Sequence, residues 1–298
     1  MCTFRALPET MTRALRTAPL SLLCLSACRP TDHVPAYLAI DNAVVSANAM
    51  EEGSSSSKIT DAWVFVNDQS TGVWEVPSKI PVLAAGTSNL KVIAGIARNG
   101  ILADRVQYPF YDTWTNDLIL VPEGRTEIEP VFTYFNGLWF WIEDFDDIGN
   151  TFNVEDQSDT TLVRISSTIS PDLVLEGDGS GAIFLDTAHT FIRIVTDEDF
   201  NPGSLVPVFM ELDYRCDHRF LIGTYHTLSG TVTRTPLLFV APTKRPDGGM
   251  PWNKIYVDLS ALLSITGATD REVYVEAQLD AGTTSAQIYL DNVKLIHQ

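Results

Sequence analysis

The sequence predicts an all-β protein built as two successive β sandwiches, and three observations predict it. Short runs that alternate apolar and polar residues recur along the chain, each bounded by turn residues. No stretch of twelve residues shows convincing helical periodicity, and only "DLSALLSI" at 258–265 has room for one helical turn. About 270 residues remain after an N-terminal export segment, more than one comfortable core, so the length favours two domains.

The first element is "LSLLCLSAC" at residues 20–28. Its apolar part runs only from Thr17 to Ala27 and follows Arg13 and Arg16, whereas a spanning helix needs about 20 apolar residues. Residues 1–27 therefore read as a signal peptide. Glu9 spoils the charge pattern of such a signal and Met11 begins a clean version of it, which makes Met11 a candidate start beside Met1. Cys28 is preceded by Leu25, Ser26 and Ala27, and this resembles the bacterial lipoprotein signal. The resemblance implies cleavage before Cys28, acylation of its thiol and attachment to the outer membrane; two or more acyl chains make such an anchor stable. The alternative is an ordinary secretory signal cut after Ala27. Residues 28–34 form a linker, and "RPTDHVP" at 29–35 holds a single acid, so nothing in it assigns the periplasmic or the cell-surface face.

Composition agrees with export. Without residues 1–27 the chain keeps 17 Lys and Arg against 37 Asp and Glu, a net charge of −20. Such a surface repels nucleic acid and anionic headgroups, which removes nucleic acid as a partner and leaves the N-terminal lipid as the route to a membrane. With Cys28 used for lipid, Cys216 has no mate, so the chain is no disulfide scaffold.

The first sandwich is expected over residues 35–133. "DAWVFVND" sets Ala62, Val64 and Val66 against Trp63 and Phe65, and "NLKVIAGI" aligns Leu90, Val92, Ala94 and Ile96. A short strand, a tight turn at "NDQSTG" and a proline-marked edge suggest an immunoglobulin-like or transthyretin-like sandwich. The layout of "VPSKIPVLAAGTSNLKVIAGI" also resembles the PEGA-type surface domain. The simplest reading of the serine run Ser54–Ser57 is a flexible loop.

The second sandwich is expected over residues 134–298, whose strand-like runs suffice for two packed sheets. In "VFMELDYRCD", Met210, Leu212, Tyr214 and Cys216 share the inward face and Glu211, Asp213 and Arg215 the other. "WIEDFD" at the start, "WNKIYVDL" in the middle and "IYLDNVKL" at the end resemble the galactose-binding-type jelly roll of many carbohydrate-binding modules. With the lipoprotein signal, the whole chain resembles a surface lipoprotein of the Bacteroidota type.

In the last strand Ile288 and Leu290 keep one phase and Val293 and Leu295 the other, which predicts a bulge near Asp291 and Asn292. The resembling modules hold a structural calcium between their first and last strands. Asp291 matches the latter position and Glu143 or Asp144 the former, so these three are the candidate metal ligands, with a solvated acidic edge as the alternative.

Catalysis has one candidate, "ELDY" at 211–214, a partial match to the E-x-D-x-E signature of a jelly-roll glycoside hydrolase family. A retaining mechanism needs two carboxyl groups about 5 to 5.5 Å apart. The third acid is missing, since Arg215 occupies its place, and the expectation is a non-catalytic protein. The five histidines show no ligand spacing supported by a carboxylate.

Binding remains, with carbohydrate as the first expected partner and an envelope protein as the second. Trp252 in the loop "RPDGGMPWNK" and outward-facing Tyr256 are the candidate ligand-binding residues. Trp139 and Trp141 share a face beside the domain junction and are expected to pack the two sandwiches together.

Overall fold

The computed structural model describes residues 34–298. The signal peptide, the lipidation site at Cys28 and most of the linker lie outside the described residues. Ten strands precede Tyr134: β1 (Ala36–Ile40), β2 (Val44–Val45), β3 (Asp61–Val66), β4 (Gln69–Glu75), β5 (Ser78–Val82), β6 (Gly86–Ala97), β7 (Arg105–Gln107), β8 (Trp114–Leu120), β9 (Arg125–Ile128) and β10 (Val131–Phe132). Eleven follow: β11 (Trp139–Glu143), β12 (Phe152–Val154), β13 (Val163–Ser166), β14 (Gly179–Asp186), β15 (Phe191–Thr196), β16 (Val208–Cys216), β17 (Phe220–Leu228), β18 (Thr231–Val240), β19 (Asn253–Asp258), β20 (Thr269–Gln278) and β21 (Ser285–His297). The one α-helical turn among the described residues, α1 (Ser260–Leu263), falls in the stretch with room for one.

In the first sandwich, β4-β3-β6-β7, with β8 also on β6, faces β5-β1-β9 and the short pair β2-β10. Alternation explains the layering: Val64, Leu90, Val92, Ala94 and Ile96 point inward and are buried with Leu38, Ile40 and Ile80. Each fully buried aliphatic side chain contributes about 1.5 to 3 kcal/mol. The β3–β4 connection is a two-residue turn in which Asn67 and Asp68 both take positive φ, at 50° and 63°, the backbone that matches strand twist in tight hairpins.

The second sandwich is a jelly roll. From β14 onward the chain crosses back and forth between two sheets, β13-β14-β21-β16-β19 with β11 on β21, and β12-β15-β20-β17-β18. Its core holds Ile183, Ile192, Ile194, Met210, Leu212, Val273, Val275, Ile288, Leu290, Val293 and Leu295. The bulge is present in β21. Glu211 pairs with Lys294 but Asp213 pairs with Asp291, so β21 carries one residue more than β16, and Asn292 takes φ +47°. The bulge also divides the strand's other edge, where β14 pairs Ser285–Leu290 and β11 pairs Val293–His297.

The outer face of the β21 sheet is largely covered. Phe209, Tyr256 and Ile296 join the core of the first sandwich, and Tyr108 packs edge-on against Phe209 and Tyr256 at 5.4 and 4.9 Å. Beneath them lies a buried charged network. Glu211 accepts hydrogen bonds from the Tyr108 and Tyr134 hydroxyls at 2.7 and 2.9 Å, and Lys254 Nζ stands 3.3 Å from both Glu211 and Asp213. The segment with Ser54–Ser57 is no free loop. Lys294 Nζ donates to the Ser54 carbonyl, Ala47 N to Ser55 Oγ, and Lys58 binds the Tyr256 hydroxyl and the Asn253 side chain. The segment is strapped across the β21 sheet because two buried or half-buried polar groups find their partners there.

Candidate binding face

With one sheet covered, the jelly roll's remaining extended surface is the outer face of β12-β15-β20-β17-β18. Pairing sets its pattern: Arg193 lies opposite Glu276, Val195 opposite Tyr274, Gly223 opposite Tyr274, and Leu221 opposite both Glu276 and Phe239. Val195, Leu221 and Tyr274 form a small apolar cluster of their own on this face, with Tyr225 packed against it.

The charged groups above that cluster hold one another. Arg193 Nε donates to Glu276 at 2.6 Å, and its Nη1 donates to Glu155 at 2.8 Å and to the Tyr225 hydroxyl at 3.1 Å. Tyr225 in turn donates to Glu155 at 2.6 Å, and Arg234 Nη2 donates to Glu276 at 2.6 Å. Both guanidinium carbons stand over the Tyr274 ring, 5.5 Å from its centroid for Arg193 and 4.9 Å for Arg234. Burial pulls the Arg193 guanidinium down, but its bonds to Glu276 and Glu155 more than offset that and leave it above its ordinary value. Burial, with the bond to Glu155, pushes the Tyr225 hydroxyl up to about 12, so it remains a donor at neutral pH. At the β18 edge Phe239 is 61% exposed, with Arg219 against its ring. The face therefore offers an exposed aromatic ring next to planar cations and carboxylates already fixed in orientation. That arrangement suits a ligand with apolar C–H faces and many hydroxyls.

The residues singled out from sequence fall elsewhere. Trp252 is half-buried on a groove of about 310 Å³ lined by Ser56, Ser57, Lys58, Leu175, Asp213 and Lys254. Its ring is 5.9 Å from the Arg215 guanidinium, which also stands 5.4 Å from the Tyr289 ring. Tyr256 is not a surface residue. It does point away from the jelly-roll core, but the first sandwich covers it and leaves 2% exposed, which removes it from the ligand-binding set. Trp139 and Trp141 do not bridge the sandwiches: Trp141 packs on Phe152 and Phe200, and Trp139 stacks on His297. Phe140, between them, is the residue that reaches the first sandwich's core.

Glu143, Asp144 and Asp291 are not brought together as a metal site, and among the described residues no three His, Cys, Asp or Glu side chains are placed to hold a metal ion. Glu143 turns onto the backbone N–H of Phe145 and onto Thr151. Asp144 accepts from the Asp146 N–H at 3.1 Å. Asp291 is buried and accepts from the Leu175 and Asn292 N–H groups, and burial raises its carboxyl to about 8. Each of the three carboxyl groups thus turns to donors of its own, and the three form no shared cluster in this arrangement.

Glu211, the nucleophile position of the partial hydrolase signature, is fully buried beneath Tyr108 and Tyr134, where no substrate reaches it. Cys216 is a core residue whose thiol burial pushes up to about 11.

No family model matches this sequence, and no curated protein matches it either. Solved structures with a similar arrangement include carbohydrate-binding modules. One is a family 61 module in complex with β-1,4-galactotriose, 11% identical, covering 48% of this chain and 86% of its own, with a TM-score of 0.31. A second is a family 28 module specific for non-crystalline cellulose, 11% identical, covering 51% and 90%, with a TM-score of 0.37. A third comes from carbohydrate-binding modules of the β-sandwich superfamily, 12% identical, covering 78% and 83%, with a TM-score of 0.31. Likeness at this level carries no statement about the ligand of this chain, which must come from its own residues.

Proposed function

We propose that this chain is a non-catalytic carbohydrate-binding protein, held to the outer membrane by lipid on Cys28, whose ligand lies across the outer face of β12-β15-β20-β17-β18. One observation carries the reading: the first sandwich covers one jelly-roll sheet, while the other presents Phe239, Tyr225 and the Arg193–Glu155–Glu276–Arg234 network. Sugar rings stack their C–H faces on aromatic rings, and vicinal hydroxyls pair with fixed guanidinium and carboxylate groups. Burial of Glu211 supports a role without hydrolysis. The immunoglobulin-like first sandwich then acts as the stalk.

The test is a glycan array probed with residues 29–298, with calcium and again with a chelator. Binding that survives chelator and Trp252→Ala but is lost in Phe239→Ala and Arg234→Ala supports the reading. Loss in Trp252→Ala with Phe239→Ala unaffected would move the ligand to the groove. A blank array from folded protein would overturn the carbohydrate assignment in favour of an envelope protein docking on the same face, which crosslinking in cells would then detect. Palmitate labelling that disappears in Cys28→Ser tests the anchor separately.

A further inference from the structure

The chain enters the first sandwich at one pole, and that pole differs from the rest of the surface. Ala36 pairs with Val82, which sets Leu83 beside Pro35. On the other side the turn after β8 closes on the entering chain, with Glu123 N donating to the Pro35 carbonyl and Tyr37 N to the Gly124 carbonyl. Gly86 pairs with Leu120, so residues 83–85 and 121–124 lie at the same end. The β3–β4 turn belongs to this end too, because Val66 pairs with Leu90 near the start of β6.

Four aliphatic side chains collar the entry point: Val34 is 44% exposed, Leu83 71%, Ile119 70% and Val121 56%. Leu83 also lines a groove of about 360 Å³ that runs between the sheets to the β3–β4 turn. In a chain with 38 acidic residues, Val34, Pro35 and the three loops here hold only Asp68 and Glu123. Asp68 is paired with Lys91 at 2.6 Å, and Arg125 is held by Asp41 and Glu127 at 3.1 and 3.2 Å, which leaves Glu123 to solvent. An acid-poor, aliphatic end on a strongly acidic molecule is what a bilayer surface tolerates and the remaining surface is not.

We propose that this pole rests on the lipid bilayer, with Val34, Leu83, Ile119 and Val121 at the headgroup boundary. The inference deepens the proposed function and rests on lipid attachment at Cys28. The occupant follows from the length of chain: the six peptide links from Cys28 to Val34 span at most about 22 Å even when fully extended, so an acylated Cys28 keeps this end at the membrane. The jelly roll contacts the opposite end of the first sandwich, through Asn99 and Arg98 on β19, and is thereby directed away from the bilayer.

The test uses Leu83→Cys, Val121→Cys and Val232→Cys in the full acylated chain on phosphatidylcholine vesicles, with alkylation by a membrane-impermeant maleimide. Cys216 is buried and supplies little background. Each rate is compared with that of the same variant in residues 29–298 free in solution. Slower alkylation at residues 83 and 121 on vesicles, with residue 232 unchanged, supports the proposal; equal ratios at all three overturn it. Mass spectrometry of Cys28 reads the acylation by itself. If no acyl mass is found, a histidine tag replacing residue 28 holds the chain on nickel-chelating lipid at the same point. Slowing there keeps the surface and removes the lipid anchor, and equal rates there remove the surface.

Discussion

Gly223 lies directly under the Tyr274 ring: a β-carbon at residue 223 would stand 2.3 Å from both the tyrosine Cζ and its hydroxyl oxygen. The same carbon would stand 2.6 Å from the Thr235 carbonyl, so it has no room to shift sideways. Gly223→Ala is expected to lift Tyr274 from the sheet and disturb Arg193 and Arg234 above it. The cost of such overpacking is about 1 to 3 kcal/mol in urea unfolding, and glycan affinity should fall with it.

The buried junction network gives a second expectation. Glu211→Ala leaves Lys254 and the Tyr108 and Tyr134 hydroxyls without their shared acceptor. Removing one partner of a buried ion pair costs about 3 to 5 kcal/mol, and denaturant unfolding reads it. Glu211→Gln keeps an acceptor for the tyrosines and should cost less. Neither variant should alter any glycan-hydrolysing activity.

Stability should also depend on pH through Asp291 and Lys294. Burial raises the Asp291 carboxyl to about 8, so its contribution is fully present below the unfolded value near 4 and is lost as pH rises through 8. Burial lowers the Lys294 ammonium to about 8, so its contribution is present above the unfolded value near 10.4 and is lost as pH falls through 8. Unfolding free energy measured from pH 4 to 9.5 should therefore fall toward 8 and begin to recover beyond it. Asp291→Asn should flatten the acid limb, and an unchanged limb would refute the assignment.

Tyr256→Phe removes the acceptor for the Lys58 N–H, a hydrogen bond of 3.0 Å at the junction. A loss of about 0.5 to 1.5 kcal/mol in thermal or denaturant unfolding is expected, with glycan affinity unchanged. A binding defect at constant stability would return Tyr256 to the ligand site.

Much of the fold was legible because strand alternation is a strong signal. Leu90, Val92, Ala94 and Ile96 share a buried face as their spacing requires, and the phase slip between Leu290 and Val293 located the bulge at Asn292. Alternation says which residues share a face and is silent on what covers that face. Tyr256, Glu211 and Asp213 do point away from the jelly-roll core, yet all three are buried because the first sandwich packs there. The free face was missed for the complementary reason. "TFIRIVTD" and "REVYVEAQLD" each show an outward Arg, Tyr or Glu between inward aliphatics, a local signal that was available. What joins Arg193, Tyr225, Arg234 and Tyr274 is the pairing of β15, β20, β17 and β18, which brings together residues far apart in sequence.

The most direct test of the central claim is a hydrogen-exchange footprint of residues 29–298 with and without a bound oligosaccharide. Slower exchange at residues 191–195, 221–226 and 272–278, with 252–256 and 56–58 unchanged, is the predicted result. Protection confined to 252–256 and 56–58 would contradict it and place the ligand in the Trp252 groove.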